Sequence, residues 1–134
     1  MDRSEAIRFL ETHHRGVLST LRSDGRPQLS PVLCTADADG RVVISTWEAS
    51  AKVRNLRRNP WVGVCVLSDS FFGPWVQVEG TAQVVELPDA MEPLVDYYRR
   101  ISGEHEDWDD YRTAMQAEHR VLVRFDIDRA APTR

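Results

Sequence analysis

The run Ser45-Thr46-Trp47-Glu48-Ala49-Ser50-Ala51-Lys52-Val53-Arg54-Asn55-Leu56-Arg57-Arg58-Asn59-Pro60 decides how the rest of the chain is read. Its first residues end a strand, a short loop follows, and the remainder has the marks of a short helix. Ser50 suits the N-cap, Val53 and Leu56 stand three apart on one apolar side, and Pro60 stops the helix after about two and a half turns. A helix of that length is not stable alone and must be held by packing. Lys52 and Arg54 fall in its first turns, where the positive end of the helix dipole disfavours cations. A basic run is ordinarily a solvated helix face. An anion would reverse the penalty, because free backbone N–H groups, the Ser45, Thr46 and Ser50 hydroxyls, the Lys52 ammonium and the Asn55 amide are donors that suit a phosphate or carboxylate.

Working outward, the segment before this run reads as three antiparallel strands. Gly16 to Leu21 and Gln28 to Thr35 flank Ser23-Asp24-Gly25-Arg26-Pro27, and the turn Asp37-Ala38-Asp39-Gly40 leads into Arg41 to Thr46. Asp2 and Glu5 make a D-x-x-E start for a helix that ends near His13 and His14. After Pro60, Trp61 to Leu67 is nearly all apolar and predicts a central strand buried on both faces. Trp75 to Leu87 predicts one long strand with a bulge or bend at Gly80. Met91, Leu94, Val95, Tyr98 and Ile101 recur at helical spacing before Gly103, a further helix runs through Trp108, Tyr111 and Met115, and Arg120 to Ile127 alternates as a last strand. Ala130 to Arg134 reads as a loose tail. The pattern predicts an α+β, mainly β protein, a six-stranded antiparallel barrel with flanking helices.

Composition bounds the function. A chain of 134 residues with 42% hydrophobic content reads as a single domain, residues 1–134, that buries about two thirds of its unfolded surface. A formal net charge of -4 opposes nucleic-acid binding. Cys34 and Cys65 sit in apolar runs without C-x-x-C spacing and read as reduced core residues. No N-terminal apolar segment and no run near the ~18 residues of a membrane span is present, so a cytoplasmic location away from membranes is expected.

Four blocks, Gly25-Arg26-Pro27-Gln28-Leu29-Ser30, Ser50 to Pro60, Val78-Glu79-Gly80-Thr81-Ala82 and Gly103 to Arg112, together resemble the coenzyme F420-dependent branch of the pyridoxamine 5'-phosphate oxidase-like superfamily, over nearly the whole chain. The resemblance implies a split β-barrel of the FMN-binding type and a homodimer with cofactor sites at the subunit interface. It also implies hydride transfer between a deazaflavin and a small organic acceptor. By the same resemblance Lys52, Arg54 and Asn55 match positions that hold the coenzyme's phosphate and charged tail, with Ser45 and Thr46 lining that end. Gln28, Ser30 and Val32 match the strand beside the ring, and Trp75 matches an aromatic contact from the other subunit. Pro31 departs from relatives that carry a polar residue there. An FMN-dependent oxidase or reductase on the same barrel, and a protein that sequesters F420 without turnover, are the alternatives.

No catalytic residue and no metal ligand is assigned. His105 with Glu104, Asp107, Asp109 and Asp110 lacks the spacing of an oxygen-ligand loop and reads as a solvated helix start. His13, His14 and His119 have no nucleophile beside them and read as surface residues. With no acid–base pair evident, the chemistry falls to the cofactor and positioning to the protein.

Overall fold

The computed structural model describes residues 1–132. Helix α1 (Arg3–Thr12) starts at Asp2, whose carboxylate accepts the Glu5 N–H at 2.8 Å while Glu5 reaches back to the Asp2 N–H at 3.1 Å. That capping box satisfies two end donors and aims Ala6 and Leu10 into the core. Strands β1 (Arg15–Leu21), β2 (Pro27–Ala36) and β3 (Val42–Trp47) follow, their turns closed by Gly25 and Gly40 at positive φ. Helix α2 (Ala51–Arg58) leads to β4 (Trp61–Leu67), β5 (Trp75–Thr81) and β6 (Gln83–Val85). Helices α3 (Met91–Ser102) and α4 (Trp108–Ala117) precede β7 (Arg120–Phe125) and β8 (Arg129–Ala131).

The strands form one antiparallel sheet in the order β6-β7-β3-β2-β1-β4-β5-β8. It curls so that Leu18, Ile44, Val64, Val78, Val123 and Phe125 meet in a single core, joined by Val84 from one edge strand and Ala130 from the other. A second apolar layer, Val43 and Leu122 against Leu94, Val95, Tyr111 and Met115, fixes α3 and α4 on the outside of the β3–β7 pair. The fold is the anticipated mainly β split barrel with flanking helices, with eight strands in place of six.

Both extra strands have a physical origin. The segment read as one strand from Trp75 to Leu87 is two, because the chain leaves β5, the strand next to the β8 edge, after Thr81 and joins the opposite edge of the sheet beside β7 at Gln83. Ala82 donates to the Pro60 carbonyl at 2.7 Å in the crossing. Gly80 makes the crossing sterically feasible, since a Cβ there would run into the Asp126 carbonyl oxygen and the Phe125 ring. The expected tail is partly ordered: Ala130 and Ala131 belong to β8 and pair with Val78 and Gln77, while residues 133–134 lie outside the described residues.

Strand β4 also differs from expectation. Val62, Val64 and Val66 are buried, but Trp61, Cys65 and Leu67 are only half-buried, because no element among the described residues covers the outer face they share. The same face presents Leu29, Pro31 and Leu33 of β2 and Trp75 of β5, in register across β1 and β4. Cys34 does behave as a core residue, and its burial pushes the thiol up to about 12.

The crossing at Gly80 generates a stability prediction. Gly80→Ala is expected to cost about 1–3 kcal/mol, the usual range for forcing atoms into a packed site, read as a lower urea midpoint at unchanged slope. An unchanged midpoint would show that the Asp126 backbone yields without cost.

Candidate anion and cofactor site

The site begins where the sheet comes apart. Strands β2 and β3 pair only through Cys34↔Ile44, Thr35↔Val43 and Ala36↔Val42. Beyond them Pro27 to Leu33 pairs only with β1, and Ser45 to Trp47 only with β7. A slot opens between the two free edges. Gln28, Ser30 and Val32 stand opposite Thr20, Leu18 and Gly16 and so face the barrel interior along one side of it.

Helix α2 crosses the open end. At its start, the Ser50 hydroxyl caps the Val53 N–H at 3.4 Å and accepts the Thr46 hydroxyl at 3.4 Å, tying the helix to β3. At its far side, Asn55 donates through Nδ2 to Thr20 Oγ1 at 3.0 Å and Gln28 Oε1 at 2.8 Å, and its Oδ1 accepts from Arg58 at 2.9 Å. Arg58 also donates to the Leu21 carbonyl at 3.0 Å. The Asn55 carboxamide, expected to face an anion, is therefore committed inward, where it pins α2 to β1 and β2.

Lys52 is the only lysine in the chain; the other 16 of the 17 basic residues are arginines. It is half-buried and, among the described residues, forms no ion pair or hydrogen bond with an acidic group. Burial depresses its pKa, and the Arg120 guanidinium adds to the depression. Arg120 lies 4.3 Å over the Trp47 ring and pairs with Glu118 at 3.1 Å. The Ala51 and Lys52 N–H groups have no partner within the helix. Lys52 and Arg120 are close enough to act on each other electrostatically at the end of α2 that carries two free amides, and Lys52 is the cation left uncompensated.

The other expected residues divide. Thr46 is on the α2 side of β3, whereas Ser45, one residue earlier, points to the α3 side, where its register partner Leu122 packs. Arg54 is exposed and donates to the Ala49 carbonyl at 2.7 Å. It lines a depression of about 600 Å³ with Trp47, Glu48, Arg57, Glu118 and His119. Arg57 is paired with Glu48 at 3.4 Å and with Glu86. Trp75 is separated from β2 by β1 and β4, so it joins no constellation with Lys52 inside one chain. Two residues went unread in the sequence. Arg120 opens the last alternating strand and Tyr97 stands beside the apolar stripe of α3, and neither position carries a signal of a site in the sequence. The phenol of Tyr97 donates to the Leu33 carbonyl at 3.0 Å, and burial pushes its pKa up to about 12.

The remaining candidates are structural. Asp107 caps α4 by accepting the Asp110 N–H at 3.1 Å, and His105 sits among Tyr98, Trp108 and Tyr111. No group of acidic, His and Cys side chains suited to a metal ion occurs among the described residues. His13 stacks on Phe9 at 4.0 Å, and His14 Nδ1 lies 2.9 Å from the Cys34 carbonyl, so neither is a free surface residue. No helix among the described residues is long and apolar enough to cross a membrane.

A curled antiparallel sheet that opens between two of its strands, with a cationic helix start across the opening, defines a split-barrel protein. The chain belongs to the pyridoxamine 5'-phosphate oxidase family, whose model matches residues 3–134. It is 30% identical over 127 residues to an F420H(2)-dependent biliverdin reductase of Mycobacterium tuberculosis (strain CDC 1551 / Oshkosh), covering 93% of this chain and 83% of that one. The crystal structure of a conserved hypothetical protein, Rv2991, from Mycobacterium tuberculosis matches with a TM-score of 0.78 at 30% identity, covering 97% of this chain and 82% of the other. A structure described as an F420 reductase shares the fold, with a TM-score of 0.70 at 22% identity over 92% of this chain and 94% of its own. The chain is thus related to oxidoreductases that use F420 or a flavin.

The lone lysine makes the site directly measurable. Reductive ¹³C-methylation labels only Lys52 and the terminal amine, and Lys52 is expected to titrate below an ordinary lysine and to move up when pyrophosphate compensates it. The folded protein then binds this proton less tightly than the unfolded chain, so apo stability falls as pH drops through the folded pKa and recovers as pH rises; Lys52→Met removes that dependence. An ordinary titration that ignores pyrophosphate contradicts the site.

Proposed function

We propose that this protein is a reductase using coenzyme F420, moving a hydride between the reduced deazaflavin and a small organic acceptor. One observation carries the proposal: Lys52, a partly desolvated cation beside Arg120 with no carboxylate of its own, lies at the start of the helix that crosses the slot. A desolvated, unpaired charge is unfavourable unless a ligand completes it. The residues present fit a phosphate ester bearing a flat ring. Lys52, Arg120 and the free N–H groups of α2 would hold the phosphate, and the edge carrying Gln28, Ser30 and Val32 would lie along the ring. Asn55 acts through α2, keeping Lys52 in place. When bound, the coenzyme supplies the hydride; the chain holds it near the acceptor and excludes water from the slot.

F420 is favoured over FMN on two grounds. A relative 30% identical to this chain carries F420H(2) dependence in its name. Arg54, which among the described residues has no acidic partner, offers a cation beyond what one phosphate requires, suited to a longer anionic tail. The FMN reading has its own support, because Glu48 and Glu118 share the depression that Arg54 lines and weaken its field for a polyanion. A carrier that binds F420 without turnover uses the same contacts.

We also propose a homodimer with the cofactor sites at its interface. Leu29 is 64% exposed, Leu33 49% and Trp75 43%, on one sheet face continuous with half-buried Cys65 and Leu67, and Phe71 and Phe72 stand near it at 76% and 94%. An apolar face of that extent calls for a cover, and a second copy brings Trp75 within reach of a slot that its own chain cannot.

Two experiments test these readings. In parallel fluorescence titrations F420 is expected to bind more tightly than FMN, and Lys52→Ala to weaken F420 by about 1.5–3 kcal/mol, or about 10–150-fold, with little change in melting temperature. Equal or reversed affinities favour the flavin, and an effect within about twofold removes Lys52 from the site. Light scattering behind size-exclusion at micromolar concentration is expected to give a dimer; a monomer that still binds the cofactor ends the interface model.

A further inference from the structure

The β2–β3 ladder stops at Cys34↔Ile44, so the next opposed pair in register is Leu33 and Ser45. Their backbone groups need partners once the strands diverge. Tyr97, projecting from α3, places its hydroxyl at the fork: its Oη donates to the Leu33 carbonyl at 3.0 Å, and the Ser45 backbone N–H lies near the same oxygen. A direct ladder bond would hold nitrogen and oxygen about 2.9 Å apart, while a hydroxyl between them keeps them roughly twice as far. The phenol cannot easily be withdrawn, because its ring is packed in the apolar layer formed by Leu94, Val95 and Val43.

We infer that Tyr97 is a positioning residue, a wedge at the fork of the sheet that ends the β2–β3 ladder and fixes the width of the slot. This rests on the reading above in one respect, that a flat ring enters the slot. Its removal would let Leu33 and Ser45 close by one further rung and narrow the space beside Ser30 and Val32. Among the described residues no hydrogen bond or ion pair links Lys52, at the α2 end, to Tyr97; Arg120 is the one group of the anion corner within electrostatic range of the phenol, and Tyr97→Phe leaves its charge in place.

Two measurements decide it. In the wild-type protein without ligand, the Ser45 amide should exchange slowly although it lies outside the β2–β3 ladder; exchange at the rate of an exposed amide overturns the wedge, whatever the cofactor. In Tyr97→Phe, which keeps the ring, F420 should bind about tenfold more weakly with an altered near-UV dichroism of the bound chromophore, while pyrophosphate affinity at Lys52 stays within about twofold. If both affinities stay within twofold, or both fall together, Tyr97 does not position the ring. If wild-type protein binds neither F420 nor FMN, the functional reading fails, and the Ser45 exchange alone decides the wedge.

Discussion

The ladder between β2 and β3 is three residue pairs long, and the site depends on its stopping there. Had it run on, Gln28 to Leu33 would have closed against Ser45 to Trp47 and the barrel would be a filled cylinder. Each free edge is instead held by its other neighbour, β2 by β1 and β3 by β7. Something must bridge the gap at the end where the two strands are farthest apart. Helix α2 does so with one buried side chain: Asn55 uses both amide hydrogens and its oxygen, on Thr20, Gln28 and Arg58. A buried carboxamide left half-satisfied would cost about 1–3 kcal/mol, so this complete set of partners is what lets a polar residue serve as the pin.

Placing α2 there has an electrostatic consequence. Its first turn carries Lys52 into partial burial beside Arg120, with the helix dipole unfavourable as well. A lysine is a compact, strongly hydrated charge and loses more on desolvation than an arginine would. The chain uses arginine at every other basic position, so the one lysine stands where a point charge meets the start of a helix. A bound anion would offset this local disfavour. Local disfavour of this kind is typical of functional sites, where stability is given up for binding.

Much of the architecture was legible in local chemistry. Asp2 with Glu5 forms its capping box, Ser50 caps α2, the two Asp-Gly turns join the first three strands, and the α3 stripe packs as its spacing implies. What escaped was nonlocal. Gly80 signalled a bend, but that the chain there crosses from β5 to the far edge of the sheet follows from the approach of Asp126, 46 residues later. The apolar run of β4 looked buried on both faces because its outer residues are apolar; nothing in the run says that their cover is missing within one chain. Asn55 was legible as polar and near the corner, yet its direction follows from the tertiary placement of Thr20 and Gln28. Arg120 and Tyr97 reach the site only because β7 and α3 are folded against β3, and no spacing in the sequence links them to Lys52.

The central claim is that one ligand occupies the slot between β2 and β3 and the start of α2. Amide hydrogen exchange with and without F420 tests it most directly. The account predicts added protection in residues 28–33 and 45–55, and at most secondary changes elsewhere. Saturable F420 binding that leaves both segments unchanged, with protection instead around the depression between α1 and the Phe72 to Trp75 loop, would contradict it.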